Sequence, residues 1–297
     1  DEACIQNSGL TFDHFPNHAW AAVDADFDGL PDGAENCVSE CIRDGLAIDS
    51  LLGDYDNDGI LDSVDTDEYG VPKVDMNGNG LIDIDSLDKL NAMRYQLQGI
   101  GLQLEEASTV VTSGCPFLLY QGNYQQRCFG YELTADLDFD TNANGEFDSG
   151  DAYWNENSQG VGEGWQPVGI YTDGYGRTHY PFNAQFNGNG YVIENLTINR
   201  PDSYGVGLFG MIRDSTIENL AIAGVHSSVV GFSKVGVVAG YAENSQILKV
   251  FIGAKVQGDS FVAGLVGHMR EASHVEDTIV SGSVSGNSYI AGLAGSS

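Results

Sequence analysis

The chain has 297 residues, enough for two domains of ordinary size, and sets 12 Lys+Arg against 43 Asp+Glu for a formal charge of −31. Nucleic acid and anionic membrane surfaces are therefore poor partners, and the sequence holds no apolar run of about 18 residues that would span a bilayer. The acidity is uneven: residues 1–160 hold 32 acids and 5 bases (net −27), residues 161–297 hold 11 acids and 7 bases (net −4).

With 42% hydrophobic residues, 39 Gly and 7 Pro, the composition fits a folded, turn-rich protein rather than a disordered one. The opening Asp1-Glu2-Ala3-Cys4 fits the trimmed start of a mature secreted protein. Five cysteines, Cys4, Cys37, Cys41, Cys115 and Cys128, leave one thiol free or paired with another chain.

The acids of the first half are spaced. Asp24, Asp26, Asp28 and Asp32 occupy positions 1, 3, 5 and 9 of a loop with Gly29 at position 6, Leu30 at 7 and Glu35 at 12. This is the ligand order of an EF-hand-type calcium loop: oxygens converge on one hard cation, glycine makes the sharp turn, and position 7 contributes its backbone carbonyl. Asp54, Asp56, Asp58, Ile60, Asp62 and Asp65 repeat the order around Gly59. A third copy runs through Asp75, Asn77, Asn79, Leu81 and Asp83 around Gly80, and a fourth through Asp140, Asn142, Asn144, Glu146, Asp148 and Asp151 around Gly145. The third has Ser86 at position 12, so Asp85 or Asp88 would have to substitute. Four loops with glycine in register point to Ca2+. Magnesium fits less well, because it demands a rigid shell and keeps several waters.

Residues 24–67 resemble the thrombospondin type-3 repeat, in the pattern of Asp24–Asp32 and Asp54–Asp62. The resemblance implies a metal-hardened stalk with little core, often disulfide-linked. Cys37 and Cys41 fit that context, with Cys4 as a partner for either, and secretion into an oxidising, calcium-rich medium is the simplest compartment.

After the third loop, Ser86 is a good N-cap and Leu87, Leu90, Met93 and Leu97 recur at helical spacing before Gly99, which predicts one short amphipathic helix. Cys115 and Cys128 bracket a 12-residue loop and fit a local disulfide just before the strand-like Tyr131-Glu132-Leu133-Thr134.

The second half is repetitive. An apolar-x-x-apolar-x-apolar phrase occurs at Ile193/Leu196/Ile198, Ile217/Leu220/Ile222, Ile247/Val250/Ile252 and, with Thr278 in the middle, Val275/Val280, at intervals of 24, 30 and 28 residues. A glycine marker ends at Gly210, Gly240, Gly267 and Gly295, at intervals of 30, 27 and 28. A unit of that size with three short strands is too small to bury its own apolar face, so the units must stack. The fold predicted is mainly β: a right-handed parallel β-helix, or β-solenoid, preceded by a loop-rich calcium-binding segment with a short helix. Its expected divisions are an acidic segment at 1–85, a connector at 86–130 and a β-helix at 131–297 that includes the 140–151 loop.

Residues 131–297 resemble the GLUG repeat family, through Gly207–Gly210, Ala263–Gly267 and Ala291–Gly295 and through lead-in phrases such as Gly164–Gly169 and Phe186–Ile193. The resemblance implies large bacterial extracellular proteins, often adhesins, and names no reaction. Val237-Val-Ala-Gly240 departs from the usual wording.

Parallel β-helices also house polysaccharide lyases and hydrolases, which need paired carboxylates on one groove. Glu194, Glu218 and Glu276 hold the same place in three phrases, but Leu248 breaks the series; Asn195, Asn219 and Asp277 read as a hydrogen-bond ladder interrupted by Lys249. The six histidines, His14, His18, His179, His226, His268 and His274, lack zinc spacing. Trp154, Trp165, Tyr171, Tyr175 and Tyr180 fit core or cap positions, or a sugar-stacking platform. The next triad would begin near residue 302, past Ser297, so either the chain continues or another subunit covers that end. The sequence thus reads as a noncatalytic, calcium-stabilised, secreted or cell-surface protein. Its expected partners are calcium, copies of itself in a filament or stacked solenoid, and cell-surface glycans or proteins. A polysaccharide-active enzyme is the alternative.

Overall fold

A computed structural model describes residues 73–106, 108–120, 123–172 and 176–296, together with the backbone of two paired strands, Ile42–Arg43 and Leu46–Ala47. The loops at 24–35 and 54–65, with Cys4, Cys37, Cys41, His14, His18 and Tyr175, lie outside the described residues. So does most of the stretch that resembles thrombospondin repeats.

From Leu81 onward the chain winds as a parallel β-solenoid of about four turns. The first sheet stacks Leu81–Ile84, Gly130–Leu133, Gln185–Asn187, Thr216–Glu218, Gln246–Leu248 and His274–Glu276. The second stacks Leu137–Asp138, Val192–Glu194, Ala221–Ala223, Phe251–Gly253 and Ile279–Ser281. The third is built on the long strands Thr197–Val206 and Ser228–Val235. The next two turns supply Lys255–Gln257 with Ser260–Ala263, then Val284–Ser285 with Ser288–Ala291. Phe209–Arg213, Ala239–Glu243 and Val266–Arg270 make the fourth.

Parallel register puts like on like, so each sheet sends one column into the core. Ile82, Tyr131, Phe186, Ile217, Ile247 and Val275 are successive partners in the first sheet, and Leu137, Ile193, Ile222, Ile252 and Val280 in the second. The first five of the former and the first four of the latter are buried. Full burial of each such side chain contributes about 1.5–3 kcal/mol before entropy is set against it.

The register corrects one alignment. Ile193 stacks on Ile222, not on Ile217, whose lower neighbour is Phe186. The phrase Ile193/Leu196/Ile198 rounds the corner between the second and third sheets, whereas Ile217/Leu220/Ile222 rounds the corner between the first and second. Glu194 therefore lies in a different sheet from Glu218 and Glu276, and the latter two are separated by Leu248 in register. The expected Asn195/Asn219/Asp277 ladder dissolves in the same way. Asn219, Lys249 and Asp277 are instead one corner taken left-handed in three turns, with φ of 51°, 53° and 48°, and the Asn219 amide donates to Asn187 Oδ1 at 3.0 Å.

A second left-handed position explains the glycine marker. Gly205, Lys234, Phe261 and Tyr289 sit toward the far end of the third sheet with φ of 68°, 56°, 54° and 55°. There the backbone bulges toward the fourth sheet. A Cβ on Gly240 would lie 2.4 Å from Gly205 Cα, and one on Gly267 would lie 2.4 Å from Lys234 C. The marker glycine is thus the residue that the bulge of the previous turn leaves no room to extend.

The lower end is closed by the helix Leu87–Ala92, capped by Ser86, and a short 3-10 continuation, Met93–Tyr95. Leu90 and Met93 are buried in the same core as Ile82 and Tyr131, and Tyr131 Oη donates to Gln96 O at 2.6 Å. The solenoid therefore begins inside the segment read as acidic stalk, because Leu81–Ile84 pairs in parallel with Gly130–Leu133 and the whole stack shares one core. Among the described residues no helix is long and apolar enough to cross a membrane.

Gly267→Ala should lower the unfolding free energy by about 1–3 kcal/mol. Gly253→Ala, whose added Cβ meets nothing nearer than 3.4 Å, should stay within about 0.5 kcal/mol of the parent. Urea unfolding of both variants checks the pair.

Candidate metal centres

Two acid loops fall within the described residues, and they share one backbone. In the loop from Asp75, positions 4 and 6 are Gly78 and Gly80 with φ of 67° and 89°; in the loop from Asp140 they are Ala143 and Gly145 with φ of 54° and 83°. The same bonds follow in both. The position-6 N–H donates to the position-1 carboxylate, Gly80 to Asp75 at 2.7 Å and Gly145 to Asp140 at 2.8 Å. The position-5 N–H donates to Oδ1 at position 3, Asn79 to Asn77 at 2.9 Å and Asn144 to Asn142 at 3.0 Å. The position-7 N–H donates to Oδ1 at position 5, at 2.8 Å for both Leu81 to Asn79 and Glu146 to Asn144. Short polar side chains tolerate left-handed turns and hold them by bonding the backbone two residues on, so the loop motif carries its own local geometry.

The loops differ in what faces the Asn amides. In the Asp140 loop, Nδ2 of Asn144 and Asn142 donate to Asp148 at position 9, at 2.9 and 3.3 Å. Asp151, at position 12, accepts from the N–H of Asp148 at 2.9 Å and of Asn142 at 3.3 Å. This site is closed by its own sequence.

In the Asp75 loop, Nδ2 of Asn77 and of Asn79 both donate to Glu132 Oε1, each at 2.9 Å. Glu132 belongs to the next turn and is the register partner of Asp83. Asp83 itself accepts from the Met76 N–H at 2.9 Å. The residues at or near position 12 are engaged elsewhere: Ser86 caps the helix through the Lys89 N–H at 3.4 Å, Asp85 pairs with the Lys89 ammonium at 2.9 Å, and Asp88 accepts from Tyr153 Oη at 2.8 Å. Sequence spacing missed Glu132; its only signal was the strand-like phrase that holds it.

Burial separates the two loops electrostatically. Asp75, Asp83 and Glu132 are 1%, 6% and 2% exposed. Asp75 Oδ1 and Asp83 Oδ1 are buried without a hydrogen-bond partner, a costly state for a carboxylate. Loss of water, with Glu132 and Asp75 nearby, pushes Asp83 up to about 7, and loss of water also raises Asp75. In the exposed Asp140 loop the Gly150 N–H and the Asn144 amide hold Asp148 below the usual carboxylate range.

Cys115 and Cys128 form a disulfide with Cα atoms 5.0 Å apart, and Cys128 Sγ lies 3.7 Å from Asp75 Oδ2. Among the described residues, Asp75 with these two sulfurs is the one close grouping of three potential ligand side chains. Bonded sulfurs offer no thiolate, which leaves the oxygens of the loop as the hard-cation donors.

The remaining sites of the sequence form no metal cluster among the described residues, although Tyr171, His179 and His268 join one ring stack through Tyr241. His179 and His268 stack on Tyr171 and Tyr241 with centroids 5.0 and 5.3 Å apart, and His274 contacts Glu276 at 3.4 Å on the surface. Trp165 is fully buried and donates from Nε1 to Leu208 O at 3.1 Å, a core position rather than a sugar platform.

Without metal, Asp83 must bind a proton or carry a buried charge. Its folded pKa lies above the ordinary 3.8, so the folded state holds more protons between about pH 4 and pH 7, and stability falls as pH rises through that window. Thermal unfolding in chelator should show this decline, and Asp83→Asn should flatten it.

No family model matches the chain, and no solved structure matches it. Part of it is 36% identical over 138 residues to halomucin of Haloquadratum walsbyi, an alignment covering 46% of this chain and 1% of that protein. Another alignment, 39% identical over 71 residues, is with a putative Gly-rich membrane protein of Evansella cellulosilytica, and covers 24% of this chain and 7% of that one. The chain thus resembles small portions of much longer proteins.

Proposed function

We propose that this chain is part of an extracellular structural protein in which calcium-filled loops stiffen a β-solenoid used for adhesion or end-to-end assembly. The observation that carries the proposal is the shared bonding of the Asp75 and Asp140 loops, two sequences far apart that fold their position-1, -3 and -5 oxygens into one arrangement. Carboxylates and amide oxygens in that order suit calcium, which accepts many oxygen ligands in a flexible shell. Similarity to portions of a halomucin and of a putative Gly-rich membrane protein supports a setting at the cell surface.

A stacked scaffold also suits assembly. The last described turn exposes Ile279 (64%) and Ile290 (40%) on strands that carry a ladder on one side, and Leu293 (46%) in the bend that follows. A further coil, in the same chain or another copy, would pair there. The competing polysaccharide-active reading finds less support. Glu218 and Glu276 are held apart by Leu248, and Glu218 accepts from the Gln185 amide at 2.8 Å.

Calcium should raise the thermal midpoint and the protease resistance of residues 73–160, and chelator should reverse both; identical digestion in calcium and in chelator would sink the metal reading. Negative-stain microscopy should show end-to-end rods, whereas monodisperse particles at every concentration would reject assembly. Cleavage of a uronate-containing polysaccharide would favour the enzyme.

A further inference from the structure

The Asp75 loop is complete up to position 9 and then stops: Ser86, Asp85 and Asp88 are committed to the helix that follows. A calcium loop of this type ordinarily closes with an acidic group at position 12. In the Asp140 loop Asp151 fills that place. The Asp75 loop lacks it, yet Asp75 and Asp83 are both buried and each has one oxygen without a partner.

Glu132 resolves the contrast. Leu81–Ile84 and Gly130–Leu133 pair in parallel, which sets Glu132 beside Asp83. The alternation of the strand turns both away from the core column of Ile82 and Tyr131 and toward the loop that covers them. Glu132 Oε1 already meets the amides of Asn77 and Asn79, each at 2.9 Å, so it faces positions 3 and 5. Its Oε2 accepts from the Asn189 amide at 2.7 Å, which fixes the carboxylate from the following turn. Lys89 opposes the charge on Asp83 only from a distance, because its ammonium is bonded to Asp85. Asp75, Asp83 and Glu132 do not converge as closely as ligands around one ion, but Asp75 Oδ1 and Asp83 Oδ1 are buried without a hydrogen-bond partner, and a cation drawing the three carboxylates together would satisfy both. The Oδ1 atoms of Asn77 and Asn79 each accept one backbone N–H and keep a second lone pair for it.

We propose that Glu132 is the missing acidic ligand of the Asp75 loop, so that one calcium ion joins the loop to the next turn of the solenoid and clamps the two turns together. The inference rests on the calcium reading above. It adds a ligand from a different strand and makes the site a rivet between turns, not a stalk loop.

The test uses the full chain and its Glu132→Gln variant, followed by thermal unfolding and by hydrogen exchange in calcium and in chelator. In the parent, calcium should slow exchange in peptides spanning 75–83 and 130–133 as well as 140–151. In the variant, protection of 75–83 and 130–133 should require a calcium concentration higher by on the order of tenfold to a hundredfold, while 140–151 responds as before. Glutamine keeps the acceptor for Asn77 and Asn79 and removes a buried charge, but its amide nitrogen replaces the oxygen that accepts from Asn189, so stability in chelator sets only the baseline and the shift in calcium dependence is the readout. Equal calcium dependence of protection at 75–83 in the variant and the parent would reassign Glu132 to a structural hydrogen-bonding role and overturn the proposal. Should neither loop of the parent respond to calcium, the broader metal reading fails with it. Asp75→Asn, which alters position 1 and leaves Glu132 in place, should reproduce the selective loss at 75–83.

Discussion

Everything in this fold depends on one constraint: a turn of solenoid cannot hide its own apolar side, so it must lie in register on another turn about 4.8 Å away. Register makes every residue a neighbour of its own counterpart. Apolar residues then form columns, as Ile217, Ile247 and their partners do, and corner residues form rows that share one backbone conformation. The left-handed corner of Asn219, Lys249 and Asp277 costs about 1 kcal/mol per non-glycine residue. It persists because the stack above and below fixes the direction in which the chain must leave.

The same constraint is unforgiving toward charge. Two carboxylates at matching positions of adjacent turns are brought close whether or not they attract. On an open face, water screens them. Asp83 and Glu132 differ because the Asp75–Gly80 loop lies over them and excludes water. Stacking thus buries an outward acid beside a second one, using no residue that would look unusual in its own strand. The disulfide from Cys115 to Cys128 tethers the chain beside Asp75, which holds the loop near the strand that bears Glu132.

Much of this was legible in the sequence, and the failures have physical causes. Ser86 as a cap, the helix behind it, the glycine marker and the parallel stack all arise from local chemistry or from exact recurrence. The first triad was placed in the wrong frame because successive corners of the solenoid use similar apolar phrases: Ile193/Leu196/Ile198 and Ile217/Leu220/Ile222 read alike but round different corners. The early start of the solenoid was hidden because Leu81–Ile84 serves both as the end of an acid loop and as a strand. Glu132 was invisible for a deeper reason. Spacing along the chain finds residues that come from one loop, whereas Glu132 reaches the Asp75 loop sideways, through the pairing of strands whose register no short motif records.

The stack also fixes how the protein would answer a pull. Each turn of about 28 residues advances the structure by only about 4.8 Å, while the same residues drawn straight would span about 90 Å. Peeling one turn from the end therefore releases nearly twentyfold more length than it removes and uncovers another edge of the same kind. A rod built this way would yield in steps, dissipating load as lost turns rather than breaking. Among the described turns, the one bearing Glu132 is tied to the Asp75 loop by side-chain hydrogen bonds as well as by strand pairing, so it would be the slowest of them to peel.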